Sequence, residues 1–214
     1  MGHLKKRKMF KVLLIIFSLH GCVMNLWTQN MDIRLLREIN LNRNRNLDNT
    51  FRGITCSVVP VAIATPLVVY SAGWSEDDVT LKKKGCYVAE TFLVSVFFST
   101  AVKYSVNRER PFVTYPDIEK ETSGGGPSFP SGHTSAAFAM ATSVSIAFPK
   151  WYVIIPSFVW AGAVGYSRMD LGVHYPTDVL GGAITGCGSA WLTCRLNRWI
   201  NKKSKKEKLF YPVP

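Results

Sequence analysis

The chain is short of acidic residues: 14 Asp and Glu stand against 26 Lys and Arg in 214 residues, a formal net charge of +12. Such a surplus suits an anionic partner, either nucleic acid or a membrane surface. The basic residues fall between apolar runs and at the chain ends, not in one stripe with interleaved aromatics, which argues against nucleic acid. Cysteine is missing where metal chemistry would need it. Cys22, Cys56, Cys86, Cys187 and Cys194 form no CxxC pair and no ligand spacing with the four histidines, so no structural metal is expected. All five lie in or beside apolar runs, as buried bundle-facing or lipid-facing thiols would. Those runs also lack the alternation of polar and apolar residues that barrel strands require.

What is present is apolar material. Hydrophobic residues make up 47% and aromatics 12% of the chain, and the mean hydropathy is +0.08 in spite of the charge. The apolar residues gather into five segments, at about 53–74, 85–106, 130–148, 151–166 and 177–196. Each approaches the ~20 residues that cross a bilayer as a helix. Helices and closed barrels are the structures that satisfy every backbone group in lipid, and barrels are already excluded. The expected fold is therefore all-α, a polytopic transmembrane bundle of five or six membrane helices.

The sixth helix depends on the N-terminus. Residues 1–28 carry Lys5, Lys6, Arg7 and Lys8 ahead of the apolar run Val12 to Phe17, as a signal peptide or an uncleaved first membrane helix would. Residues 29–52 space Ile33, Leu35, Leu36, Ile39 and Leu41 at helical intervals among five arginines. This reads as an amphipathic interfacial segment whose arginines could hold anionic head groups, or as an ordinary solvated connection. A membrane domain over 53–200 follows, then a basic tail over 201–214. Lys82, Lys83, Lys84 and the lysine-rich tail mark the cytoplasmic side, which puts the loops at 105–129 and 167–176 outside. The expectation is a multi-pass protein of a bacterial inner membrane with its polar site facing the periplasm; the arginines before residue 52 run against the charge rule.

The polar residues of that outer side converge. His174 and Asp178 stand four apart, so with Pro176 opening a helix the carboxylate can lie beneath the imidazole. Arg168 precedes them, Lys103 ends the second apolar segment, Arg110 follows in the loop, and Ser131, Gly132 and His133 open the third. Lys103, Arg110 and Arg168 offer charge and forked donors suited to phosphate oxygens. Ser131 and Gly132 sit at a helix start, where free N–H groups favour an anion and glycine permits close approach. One histidine can attack phosphorus while the other protonates the leaving oxygen, and side-chain cations replace a metal. Each residue alone has a plainer reading: Lys103 or Arg168 as a snorkelling anchor, either histidine as a hydrogen-bonded helix end, Gly132 as a turn. Together those readings require eight coincidences on one face.

KYSVNRERP, PSGH and SRMDLGVHYPTD, in that order, resemble the three signature motifs of the type 2 phosphatidic acid phosphatase superfamily, over roughly residues 84–190. The superfamily includes bacterial lipid phosphatases, soluble acid phosphatases and vanadium haloperoxidases. The resemblance implies that His174 is the nucleophile and forms a phosphohistidine, that Asp178 orients it, and that His133 serves as general acid and then base. It implies that Lys103, Arg110, Ser131, Gly132 and Arg168 bind the phosphoryl group, with no metal and no cofactor. The membrane context selects a phospholipid or glycolipid phosphate as partner. Lipid A and undecaprenyl diphosphate are favoured over phosphatidylglycerol phosphate and phosphatidic acid, because the compact form with a signal-like start is similar to bacterial lipid A phosphatases. Two rivals remain: a vanadate-holding haloperoxidase, and a lipid transporter or scramblase, whose polar groups would lie nearer the midplane.

Four further features await a place. Glu90 should lie roughly 20 Å from Lys103 by helix rise, outside the site. Asp170 could bind a substrate amine or hydroxyl, or pair with Arg168. The loop Val113 to Ser128, with Gly124, Gly125 and Gly126, reads as a flexible lid or access rim. Gly181, Gly182 and Gly186 read as close helix contacts.

Overall fold

The computed structural model describes residues 30–200. The expectations for residues 1–28 and for the basic tail over 201–214 lie outside the described residues. Within them the chain is helix and connection, with no strand. Helix α1 covers 30–41. After a 3-10 turn at Arg45–Leu47 come α2 (Asp48–Cys56), α3 (Val58–Ser75), α4 (Val79–Val106), the single turn α5 (Pro111–Thr114), α6 (Gly132–Ala147), α7 (Trp151–Asp170) and α8 (Pro176–Ile200). Four of the five apolar segments anticipated from the sequence correspond to helices α4, α6, α7 and α8, and the first, 53–74, is divided between the end of α2 and α3.

Local chemistry sets the boundaries. The Asp78 carboxylate caps α4 by accepting from Thr80 N at 2.7 Å and Leu81 N at 3.3 Å. At its other end Asn107 turns left-handed with φ 50°, a conformation asparagine tolerates. Pro111 opens α5 and Pro176 opens α8, where a missing N–H costs nothing.

Helix α6 is the centre of the bundle, packed against α8, α7 and α4. It is rich in Ala and Ser, and nine of its 16 residues are buried, so neighbouring backbones approach on several sides. Helix α8 comes closest. A Cβ on Gly182 would stand 2.7 Å from Ser131 O, and one on Gly186 would stand 2.3 Å from Ser135 O. The missing side chains are what let the two backbones touch. Gly181 instead faces the Phe129 ring, 2.5 Å from where its Cβ would be.

The outer faces are as apolar as the interior. Ile63, Leu67 and Val68 on α3, Leu93 and Phe97 on α4, Trp151, Ile155 and Val159 on α7, and Leu180 and Ile184 on α8 are all exposed. Patches of this extent on a helical bundle mark a surface made for an apolar surrounding. The helical stretches Arg45–Ser75 and Val79–Thr114 are each long and apolar enough to cross a membrane. Helix α6, with 16 residues, extends only ~24 Å and falls short of a bilayer core by itself.

The end of α4, the starts of α6 and α8 and the end of α7 share one pole of the bundle. At the other pole Asn197 Nδ2 donates to Glu90 Oε2 at 2.6 Å, which keeps Glu90 away from the site as expected. Over the site pole lie α1 and α2, which cover residues 30–41 and Asp48–Cys56. The buried Ile33 and Leu36 of α1 pack on Ile118 and Tyr175, while Leu35 and Leu41 of the same stripe are exposed. Four of the five arginines pair with acids, and all four reach the 113–128 loop: Arg37 with Asp117, Arg43 with Glu119 and Glu121 as well as Asp48, Arg45 with Glu119, and Arg52 with Glu121. Arg34 turns back to Asn30 O and Met31 Sδ.

Candidate active site

Three loops and four helix ends build the site. The α7 to α8 connection supplies its centre. Gly172 turns left-handed there with φ +72°, and a Cβ at that position would stand 2.1 Å from Glu119 O, so only glycine allows the chain to double back. The turn delivers Val173 and His174 to the Arg168 carbonyl, which accepts from both N–H groups at 3.1 and 3.2 Å. His174 and Asp178 are 1% and 0% exposed. His174 Nδ1 lies 3.3 Å from Asp178 Oδ2, and that oxygen also accepts from Tyr175 N at 2.9 Å and from the Ser128 hydroxyl. With its Nδ1 proton on the carboxylate, the imidazole has its lone pair at Nε2, which faces Arg110 Nη1 at 3.4 Å. Burial, reinforced by Arg110 and Arg168, outweighs Asp178 and lowers the His174 pKa from 6.5 to about 3. The imidazole is therefore neutral at physiological pH, with its Nε2 lone pair unprotonated.

The cations around it have no carboxylate partner among the described residues. Arg110 donates to the carbonyls of Gly126 (3.0 Å), Gly125 (2.9 Å) and Val173 (2.9 Å). Lys103 Nζ donates to Pro127 O at 2.7 Å. Arg168, 2% exposed, donates to Thr55 Oγ1 at 2.9 Å and Ser123 O at 3.0 Å, and its buried Nε has no partner. Three cations held by neutral carbonyls and hydroxyls leave positive charge without a carboxylate partner, an arrangement chemically suited to an anion.

The start of α6 adds to this. Gly132 and His133 precede the first intrahelical bond, Ser135 N to Ser131 O at 2.9 Å, so their N–H groups are free of the helix ladder. A Cβ on Gly132 would point at Lys103 Cε from 3.9 Å, so glycine leaves the space beside that cation open. His133 is half-buried and lies in the field of Arg168, Arg110 and Lys103. Ser131 is more constrained than the sequence suggested. Its Oγ accepts from Thr134 Oγ1 at 2.9 Å and caps α6, while its N–H donates to Asp178 O at 2.9 Å, leaving its hydroxyl proton for a ligand.

All eight residues singled out from the sequence thus stand at the same pole. Asp170 does not pair with Arg168. Its carbonyl accepts from Asn40 Nδ2 at 2.8 Å, its Oδ2 is buried without a partner, and the charges nearest it are Asp48 and Arg43. The 113–128 loop is a frame and not a free lid, because Asn40, Arg52, Lys103, Arg110 and Arg168 all bond to its backbone.

The sequence model of the PAP2 superfamily matches residues 84–202, which hold every one of the eight. The chain belongs to the PAP2 superfamily. It is 37% identical over 86 residues to the lipid A 4'-phosphatase of Bacteroides thetaiotaomicron, covering 40% of this chain and 38% of that protein. It is 29% identical over 116 residues to the undecaprenyl-diphosphatase of Sulfolobus acidocaldarius, covering 54% and 56%. The chain therefore spans between about a third and just over half the length of these two curated relatives. In fold it is similar to a transmembrane PAP2 type phosphatidylglycerolphosphate phosphatase from Bacillus subtilis, with TM-score 0.69 at 23% identity over 90% of this chain and 96% of that one.

Sequence reasoning missed two residues inside the PAP2 region and one outside it. Ser128 and Arg108 both bond to Asp178, and Asp32 on α1 bonds to Arg108. Arg108 occupies an unspecified position of KYSVNRERP, where any residue satisfies the pattern. Asp32 lies 52 residues before the matched segment begins at residue 84, and nothing in a linear pattern joins the two.

Proposed function

We propose that this chain is a multi-pass membrane enzyme that removes a phosphate from a membrane lipid, with the site at the periplasmic face of a bacterial inner membrane. Lipid A and undecaprenyl diphosphate are the favoured substrates, as the names of the relatives suggest for their own reactions. One observation supports the reading: Lys103, Arg110 and Arg168, none bonded to a carboxylate among the described residues, share a pole with a histidine whose Nε2 faces Arg110 and whose Nδ1 is tied to a carboxylate. The apolar outer faces of α3, α4, α7 and α8 suit acyl chains, so a lipid can stay in the bilayer while its phosphate enters at the helix ends. The lysines at 82–84 lie at the far end of α4 from Lys103 and fit a cytoplasmic position.

In the first step His174 Nε2 gives its lone pair to phosphorus, and the bond from phosphorus to the leaving oxygen breaks. His133 delivers a proton to that oxygen. The Nδ1 proton stays with His174, and Asp178 balances the positive charge that develops on the ring. Lys103, Arg110, Arg168 and the free N–H groups of Gly132 and His133 hold the equatorial oxygens. In the second step water, losing its proton to His133, attacks phosphorus and breaks the P–N bond. Inorganic phosphate leaves and His174 is again neutral. Side-chain cations do the charge stabilisation, so the reaction calls for no metal ion.

The test is phosphate release by purified protein in detergent from lipid A, undecaprenyl diphosphate, phosphatidylglycerol phosphate and phosphatidic acid, with chelator present. Turnover of at least one lipid in chelator is expected, together with loss of ~10³-fold or more in a folded His174→Ala variant. Full activity in His174→Ala, or abolition by chelator, would overturn the mechanism. Halide oxidation dependent on vanadate, with no phosphate release, would overturn the substrate class.

A further inference from the structure

The Asp178 carboxylate has two oxygens in different surroundings. Oδ2 serves His174 Nδ1 at 3.3 Å, Tyr175 N at 2.9 Å and the Ser128 hydroxyl, while Oδ1 accepts from Arg108 Nη1 at 2.8 Å. The Arg108 guanidinium is fixed in turn. Nη1 also donates to Thr177 Oγ1 at 2.8 Å, Nη2 donates to Asp32 Oδ2 at 2.7 Å, and the plane lies over the Tyr175 ring at 3.8 Å. Asp32 completes the set from a separate helix. Its side chain is 2% exposed, its Oδ1 accepts from Thr177 N at 2.9 Å, and its Oδ2 takes the Thr177 hydroxyl. Thr177 is the second residue of α8, so Asp32 caps that helix from across the bundle end.

We propose that Asp32 and Arg108 are positioning residues for the phosphate-accepting histidine, with Asp32 holding Arg108 and the first turn of α8, and Arg108 holding Asp178 so that Oδ2 faces His174. The proposal rests on the phosphatase reading and adds to it a residue from α1, outside the segment that the superfamily model matches. The contrast with Arg110 supports it. Arg110 is bonded to carbonyls and keeps its full charge for a ligand, whereas Arg108 is bonded to two carboxylates and has little left to offer one. Partial rotation of the Asp178 carboxylate about its Cβ–Cγ bond would swing Oδ2 out of line with His174 Nδ1. A guanidinium bonded to Oδ1 holds the carboxylate plane against that rotation, and the hold is as firm as the second carboxylate behind it. With Arg108 gone, Oδ1 is a buried carboxylate oxygen without a donor and will compete for the His174 proton.

The experiment uses the full chain in detergent, with a soluble phosphate monoester as substrate and four variants: Asp32→Asn, Arg108→Gln, the double variant and Arg108→Lys. The expected loss in kcat is ~10-fold for Asp32→Asn and ~100-fold for Arg108→Gln, with KM within about twofold. The double variant should be no worse than Arg108→Gln, because both act through one chain of contacts. Arg108→Lys should recover part of the loss. Leu36→Ala, which loosens the α1 packing without touching the bridge, should lower Tm and leave kcat within about twofold. Losses that multiply in the double variant, a raised KM with kcat retained, or a Leu36→Ala loss equal to that of Asp32→Asn would each overturn the proposal. A second readout needs no turnover: the ¹⁵N spectrum of His174 should report one tautomer, protonated at Nδ1, in the parent protein and a tautomer mixture in Arg108→Gln. An unchanged spectrum overturns the positioning role. Failure of the parent protein to release phosphate from any substrate, with the spectral change present, would overturn the phosphatase reading alone.

Discussion

The two basic regions of this protein sit at the same pole and treat their charge in opposite ways. In the α1 and α2 layer Arg43, with a side chain 2% exposed, is surrounded by Asp48, Glu119 and Glu121. Burial pulls against its charge, but the bonds to Asp48 and Glu119 outweigh it and raise its pKa. In the candidate active site Arg110 and Arg168 are buried and Lys103 is half-buried, yet they bond to carbonyls and hydroxyls. The first group is neutralised and fastens a layer in place. The second is held with its charge unanswered, at a cost in stability that, under the proposed function, an incoming phosphate would remove. Counting basic residues therefore says little about function; their partners separate a clamp from an anion site.

The comparison breaks most visibly at Arg168. Arg168→Gln should cost ~10²- to 10³-fold in turnover, the scale of losing one charge-stabilising donor, and change unfolding free energy by less than about 1 kcal/mol. Phosphate-release kinetics beside chemical denaturation checks both halves. Arg43→Gln should do the reverse, with turnover per folded molecule retained. Its stability cost is about 2 kcal/mol, less than for a fully buried pair because Glu119 and Glu121 remain 37% and 31% exposed. If the two variants behaved alike, the division between clamp and anion site would be wrong.

A smaller effect should appear on acidification. The His174 pKa is depressed to about 3 in the folded chain from 6.5. Above pH 6.5 neither folded nor unfolded chain is protonated there, so this residue contributes no slope. As pH falls from 6.5 towards 3 the unfolded chain takes up a proton that the folded chain refuses, and stability declines. His174→Asn should flatten that limb of a stability against pH curve. The smallest effect is expected at the rim. Arg37 and Asp117 are each 42% exposed, so Arg37→Gln should leave both Tm and turnover where they were.

Much of the site was legible because its chemistry is written in motifs: Lys103, Arg110, Ser131, Gly132, His133, Arg168, His174 and Asp178 were all named from spacing and resemblance. The helices were legible because their apolar runs are long. Two kinds of information were not. The amphipathic stripe of α1 gave its helical period correctly but could not say whether Ile33 and Leu36 faced lipid or Tyr175, since both partners are apolar. Pairings such as Arg43 with Glu119, or Asp32 with Arg108, join residues 76 apart in the chain, and a charge pattern read locally carries no trace of them. The loop at 113–128 misled for the same reason. Its glycines suggest freedom, while its order comes from distant side chains that bond to its backbone.

That backbone bonding also bears on how this protein can change over generations. The carbonyls of Ser123, Gly125, Gly126 and Pro127 orient the three cations, and a carbonyl is the same in every residue. Away from the acids that hold the α1 and α2 arginines, Ser128 on Asp178, and the constrained Gly124 and Gly126, side chains of this loop can drift without disturbing the charges beneath. The removal of a single residue would put each carbonyl out of step with its cation, so the loop should tolerate spelling changes far better than changes of length.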